Sequence, residues 1–104
     1  MKLIFVYMTT KDKGQAREIG RKLVEERLAA CANIIDGMNT IYWWQGAVCE
    51  DTEAILIVKT RESLFEKLIK RVKELHTYSV PCIISLPIEN GNPSYLQWLE
   101  DETM

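Results

Sequence analysis

Apolar residues recur at helical spacing in two segments of the chain, and each segment follows an apolar run typical of a strand. The first run, from Leu3 to about Met8, predicts a central strand. Asp12 and Gln15 then have the spacing of a helix-capping pair. The first helix is predicted from there, with an apolar face of Ala16, Ile19, Gly20, Leu23, Val24 and Leu28. The second helix is predicted after Thr60 as its cap, and its repeating apolar residues are Leu64, Phe65, Leu68, Ile69, Val72 and Leu75.

Between the two helices lies a long apolar ribbon with a turn at Gln45–Gly46, where glycine can adopt positive φ. Its arms run back to about Asn33 and on to about Thr60, well beyond the roughly 5–6 residues of an ordinary strand. The adjacent tryptophans at its end point to opposite faces, and one layer of helices can cover only one face. We therefore expect further copies of the chain to cover the ribbon, with Tyr42, Trp43 and Trp44 in the interface.

The last strand is predicted over Val80–Ile88, where two prolines favour an edge position or a change of partner. A short terminal helix begins at Pro93. Three acidic residues, 100–102, oppose the dipole of that helix, so its end is predicted to fray. The order is βαββαβ plus a small helix, which predicts a single α+β ferredoxin-like domain over residues 1–104. Strands one and three take the centre, and the exposed edges allow three copies to join as a homotrimer.

Charge and cysteine content narrow the class of protein. Lys and Arg number 13 against 15 Asp and Glu, for a net charge of −2 with no run of one sign, which argues against nucleic acid or an anionic membrane as partner. No stretch approaches the roughly 20 apolar residues of a membrane span, and the apolar N-terminal run is too short for a signal peptide. The three cysteines, Cys31, Cys49 and Cys82, lack paired spacing, which predicts reduced thiols in a cytoplasmic protein.

Five segments give the chain a specific resemblance to the CutA divalent-cation-tolerance family. They are Leu23–Asn33, Tyr42–Gly46, Lys59–Arg61, His76–Pro81 and Gly91–Trp98. The resemblance implies a compact homotrimer, similar in architecture to the PII signalling proteins. It also implies a cytoplasmic role in tolerance of copper and other divalent metals. No chemical reaction is established for the family, and likeness to PII proteins does not transfer their regulation.

One end of the predicted sheet gathers candidate metal ligands. Met8, His76 and Cys82 are expected there, with Met8 facing Cys82, and a thioether, a thiol and an imidazole together suit Cu(I) or another soft metal. In the family, copper ligation is attributed to a His at the position of His76 and a Cys at that of Met8. This chain has Leu75 where a second His is common and Cys82 where Glu is common. His76 as a helix cap, and Met8 and Cys82 as packed strand residues, stay open as alternatives.

Two further kinds of site can be formulated. Lys59, Thr60 and Arg61 precede the second helix, as residues 10–13 precede the first, and free backbone N–H groups beside cations could bind a small anion. Ordinary N-capping is the alternative. A Cys82–His76 dyad could support catalysis, and an acidified Cys82 would be its sign, but nothing in the sequence supplies an orienting third group.

The sequence therefore predicts a cytosolic, non-enzymatic homotrimer that contributes to copper or other divalent-cation homeostasis by weak metal binding. Neither nucleic acid nor membrane is expected as a partner. The alternative function is a PII-like trimeric sensor of a small anionic ligand, bound at the clefts between subunits.

Overall fold

The computed structural model describes residues 2–103 and confirms the predicted element order. The elements are β1 (Leu3–Thr10), α1 (Lys13–Glu25), β2 (Cys31–Trp44), β3 (Ala47–Arg61), a 3-10 turn (Glu62–Leu64), α2 (Phe65–Leu75), β4 (Ile83–Pro87) and α3 (Pro93–Asp101). The antiparallel sheet has the order β2-β3-β1-β4, with β1 and β3 in the centre as predicted. β4 is shorter than expected, because residues 80–82 approach the sheet as irregular chain.

The core lies between one face of the sheet and the helices. Asp12 caps α1 by accepting a hydrogen bond from the Gln15 amide at 2.8 Å, as the capping spacing predicts. At Gly20 the helix approaches the sheet so closely that a Cβ would lie 3.0 Å from the Ala32 Cβ. Alternate strand residues complete this layer: Ile4, Val6, Met8, Ala54, Leu56 and Val58 are all buried.

The opposite face of the sheet carries apolar side chains that no helix covers. Tyr7 pairs with Ile57 and Ile84 across the three neighbouring strands, so these side chains share that face. Ile84 and Leu86 are each 54% exposed, and Ile35 is 51% exposed. α3 contacts this face at Lys59 and Arg61, and a single subunit leaves the rest of the face uncovered.

The β2–β3 hairpin extends away from this body, and the molecule measures 45 × 25 × 22 Å. Its turn places Gln45 at φ 48° and Gly46 at φ 80°, as the Gln–Gly pair predicts. A bulge at Asp36–Gly37 interrupts β2: Ile35 pairs with Ile55, but Met38 already pairs with Glu53. β2 thus has one residue more than β3 across this step, and Met38 lies on the same face as Ile35.

Two local predictions are wrong. Thr60 does not cap the second helix, because β3 continues to Arg61 and a 3-10 turn separates it from α2, whose N-cap position is Leu64. The end of α3 is not frayed: Thr103, two residues beyond the helix, is only 1% exposed. Arg61 donates to the Glu100 carbonyl at 2.5 Å and to Thr103 Oγ1 at 3.0 Å, so a cation compensates the helix dipole there.

Among the described residues, none of the helices combines the length and the apolar character needed to cross a membrane.

Candidate functional site: an acidic cleft on the uncovered sheet face

The structure does not bring the predicted metal ligands Met8 and Cys82 together. Met8 is fully buried among the helix-facing residues and pairs with Ile83 on β4. Continuing that register by one residue sets Cys82 opposite Thr9, and both line a cleft on the uncovered face. The expectation that Met8 faces Cys82 is therefore wrong. Cys82 pairs one residue further along β1, and neighbouring residues of a strand point to opposite faces of the sheet.

His76 ends α2 and has both ring nitrogens engaged. Its amide donates to the Val72 carbonyl at 2.7 Å, and its side chain is 8% exposed. Nδ1 accepts from the Tyr78 amide at 3.1 Å, so Nε2 carries the proton and donates to the Thr9 carbonyl at 2.9 Å. This arrangement matches the helix-end alternative. Within residues 2–103, no three His, Cys, Asp or Glu side chains are close enough together to hold a metal ion.

The residues proposed to bind an anion are used elsewhere and do not converge. Lys59 Nζ donates to Asn33 Oδ1 at 3.3 Å and to the Tyr95 hydroxyl at 3.4 Å. Thr60 points to the opposite, helix-facing side of β3, where its hydroxyl is buried and has no hydrogen-bond partner among residues 2–103. Arg61 is bound to the end of α3. Lys59 and Arg61 lie on one face of β3 and Thr60 on the other. The N–H groups at the start of α2 are also not beside these residues, because α2 begins only at Phe65.

A cleft of about 550 Å³ lies on the uncovered face, between one side of the hairpin, as far as Trp44, and the segment that leads into β4. Its lining residues are Tyr7, Thr9, Thr40, Tyr42, Trp44, Asp51, Glu53, Tyr78, Ser79, Val80 and Cys82. Only Cys82 among the predicted metal ligands belongs to it. Two of the predicted interface residues, Tyr42 and Trp44, line it, whereas Trp43 lies on the other side of the hairpin and is 74% exposed. Their role between subunits stays a prediction.

Two carboxylates of the cleft are each bound by a tyrosine. The Tyr78 hydroxyl donates to Glu53 Oε2 at 2.7 Å, and the Tyr42 hydroxyl donates to Asp51 Oδ2. Glu53 is only 6% exposed. None of the described residues that line the cleft is Lys, Arg or His. The cleft is thus a partly buried acidic site that no basic side chain of its lining neutralises.

The ionisable groups around these carboxylates have raised pKa values. The hydrogen bond to Asp51 raises the pKa of Tyr42 to about 12. Burial, and then the hydrogen bond to Glu53, raise the pKa of Tyr78. Burial and the charge of Glu53 also raise the pKa of the Cys82 thiol, against hydrogen bonds with Thr9 that lower it. The acidified thiol that would mark a Cys82–His76 dyad is therefore not found.

Sequence reasoning missed the carboxylates because they belong to the hairpin arm, far along the chain from Cys82. The one available signal was the alternation of Asp51 and Glu53 on β3, which sets both on one face. The sequence does not show which face this is, because that depends on how the strands pair across the sheet.

Comparison with known proteins agrees with this fold. The family model described as CutA1 divalent ion tolerance protein matches residues 4–102. The divalent-cation tolerance protein CutA of Thermus thermophilus is 53% identical over 98 residues, which cover 94% of this chain and 95% of that protein. The chloroplastic protein CutA 1 of Oryza sativa is 46% identical over 100 residues, 96% of this chain but only 56% of that protein. This chain thus spans little more than half of the rice relative.

Solved structures give the same result. The crystal structure of CutA1 from Oryza sativa has a TM-score of 0.97 at 44% identity, and covers 100% of this chain and 95% of its own. The Thermus thermophilus divalent cation tolerance protein has a TM-score of 0.96 at 51% identity, with 98% and 99% covered. Sequence and structure agree over nearly the whole length of the chain. The chain therefore belongs to the CutA1 divalent ion tolerance protein family.

Proposed function

We propose that the chain acts in divalent-cation tolerance as a cytosolic homotrimer that binds copper or another divalent cation weakly and catalyses no reaction. Family membership supports the role in cation tolerance. One observation carries the binding step: Glu53 and Asp51 lie in a partly buried cleft, and no Lys, Arg or His is among the described residues that line it. The cysteines are all free, which fits a reducing compartment.

The carboxylates of Asp51 and Glu53 are the cation-binding groups in this proposal. Carboxylate oxygens bind divalent cations, and the Cys82 thiol on the same cleft adds a softer donor that copper accepts. No three such side chains of the described residues are close enough to form a complete site. We therefore assign the remaining ligands to a neighbouring subunit or to water, which makes the binding weak and dependent on assembly.

The surfaces that one subunit leaves open support the proposed assembly into a trimer. Ile35, Ile84 and Leu86 are more than half exposed on the uncovered face, and Trp43 is exposed on the hairpin. Monomeric proteins rarely leave contiguous apolar patches of this kind in water. Edge strands β2 and β4 also offer unpaired backbone groups to a neighbouring copy.

Calorimetric titration of the metal-stripped protein with Cu(II) and with Zn(II) tests the binding step. We expect Glu53→Gln to weaken binding by about tenfold or more, a loss of at least about 1.4 kcal/mol. Glu50→Gln removes a carboxylate from the exposed opposite side of the same strand and should leave the affinity unchanged. Equal affinities in the wild type and Glu53→Gln would reject the cleft as the cation site.

Sedimentation velocity tests the assembly separately. At micromolar concentration the wild type should sediment with three times the mass of one chain. A well-folded single subunit would contradict the proposed trimer.

A further inference from the structure

Asn90 and Gly91 form an asparagine–glycine pair in the segment between β4 and α3. Both residues are exposed, and neither belongs to a helix or a strand. The side-chain amide of an asparagine can react with the backbone nitrogen of the next residue. Glycine hinders that approach least, because it has no Cβ and a freely rotating backbone. The pair therefore has the composition of a site of spontaneous deamidation.

Both reacting groups are free of other bonds. Among the described residues, neither the Asn90 side chain nor the Gly91 N–H has a hydrogen-bond partner. The ordered contacts lie on either side: the Ile88 amide donates to the Leu3 carbonyl at 3.0 Å, and the Asn92 side chain caps α3. Exposed segments held by so few bonds change conformation readily. The backbone can therefore rotate until the Gly91 nitrogen reaches Asn90 Cγ.

The segment lies at the end of the sheet away from the projecting half of the hairpin. Ile88 is bound to Leu3, the first residue of β1. The hairpin extends past the other end of β1, where Thr10 pairs with Ala54. β4 has also ended before this segment begins. The exposure of Asn90 therefore does not depend on the sheet face that neighbouring subunits are proposed to cover.

We propose that Asn90 is a modification site, which converts spontaneously to aspartate and isoaspartate. The Gly91 nitrogen attacks Asn90 Cγ and forms a new N–C bond. The Cγ–Nδ2 bond breaks, and the side-chain nitrogen leaves as ammonia with the proton that the Gly91 amide loses. Water then opens the resulting succinimide ring at either carbonyl, which gives aspartate or isoaspartate. The reaction needs only water, and the site is independent of the proposed cation binding.

The two products affect the start of α3 differently. Aspartate adds a negative charge just before the N-cap Asn92, where the first turn of α3 holds no acidic residue and the helix dipole favours an anion. Isoaspartate lengthens the main chain by a methylene group. Gly91 has little room to accommodate this, because a Cβ built on it would lie 3.0 Å from Leu96 Cδ2. Isoaspartate therefore displaces the Asn92 cap and loosens α3.

Ageing of the native assembly at mildly alkaline pH and physiological temperature, followed by peptide mass spectrometry, tests the site. We expect Asn90 to react about tenfold faster or more than Asn33 and Asn39, which lie in β2. Asn92 is the internal control from the same exposed segment, because Pro93 follows it and has no N–H to react. A rate at Asn90 comparable with that at Asn33 or Asn39 overturns the proposal, and so does the absence of reaction in the assembled protein.

Variants test the location and the consequence. Asn90→Gln forms its cyclic product much more slowly, so it should not deamidate over the same period, and an unchanged signal there would reject the site. Asn90→Asp supplies aspartate without the ageing. We expect the Ser94 and Leu96 amides, both bound to Asn92, to exchange hydrogen faster in aged wild type that contains isoaspartate than in freshly prepared Asn90→Asp. Equal exchange in the two proteins would overturn the loosening of α3.

Discussion

Replacing His76 with alanine should destabilise the protein and leave its copper affinity unchanged. The ring is 8% exposed and makes two hydrogen bonds, to the Thr9 carbonyl at 2.9 Å and from the Tyr78 amide at 3.1 Å. Each such bond contributes about 1 kcal/mol net, and burial of the ring contributes about 1 kcal/mol more. We therefore expect the free energy of unfolding to fall by about 3 kcal/mol, because the substitution removes both bonds and the buried ring.

Urea unfolding followed by circular dichroism measures this loss. Wild type and variant are compared at one protein concentration, because the stability of an oligomer depends on it. Lys73→Ala, on the exposed side of the same helix, is the matched control and should change the stability by less than about 0.5 kcal/mol. A copper titration of the folded variant completes the comparison.

Two results would refute the reasoning. A loss of less than about 1 kcal/mol would show that the two hydrogen bonds do not stabilise the folded state as the geometry indicates. A large fall in copper affinity with little change in stability would identify His76 as a metal ligand, which requires a different arrangement of its ring.

Two further predictions follow from other contacts. The hydrogen bond to Asp51 raises the pKa of Tyr42 from 10.0 to about 12, so its stabilising contribution is complete below pH 10 and is lost as the pH rises towards 12. The urea concentration at the midpoint of unfolding should therefore fall between about pH 9 and about pH 11.5, and it should fall less in Tyr42→Phe than in the wild type. The same fall in both proteins would contradict this prediction. Arg61→Ala removes the bonds to the Glu100 carbonyl and Thr103, which should lower stability by about 1–2 kcal/mol and speed amide hydrogen exchange in the last turn of α3, while Arg61→Lys has a smaller effect. Exchange at the wild-type rate in Arg61→Ala would exclude this anchoring role.

The fold was predictable because its signals are local. Asp12 and Gln15 mark the start of α1, and helical periodicity and Gln45–Gly46 locate the helices and the hairpin. The failed local predictions have non-local causes. Thr60 resembles a helix cap, but cross-strand pairing extends β3 past it. The acidic end of α3 should fray in isolation, and Arg61 from another element holds it.

The candidate site was much less predictable, because it depends on which strand residues share a face. Met8 and Cys82 do lie near one end of the sheet, but a register difference of one residue sets them on opposite faces. Asp51 and Glu53 come together with Cys82 only through pairing across the sheet. Helical periodicity carries no information about such pairing, so the sequence showed the ligand types without their arrangement.

The bulge at Asp36–Gly37 decides which side chains of the outer half of β2 face the cleft. If both residues paired regularly with β3, without the bulge, the two sides of the strand from Met38 to Trp44 would be exchanged. Ile41 and Trp43 would then lie on the face of Asp51 and Glu53, and the Tyr42 phenol and the Trp44 indole would turn to the opposite side. Deleting one of the two residues would instead leave every side chain on its present side, because a regular strand then gives the same pairing that the bulge produces.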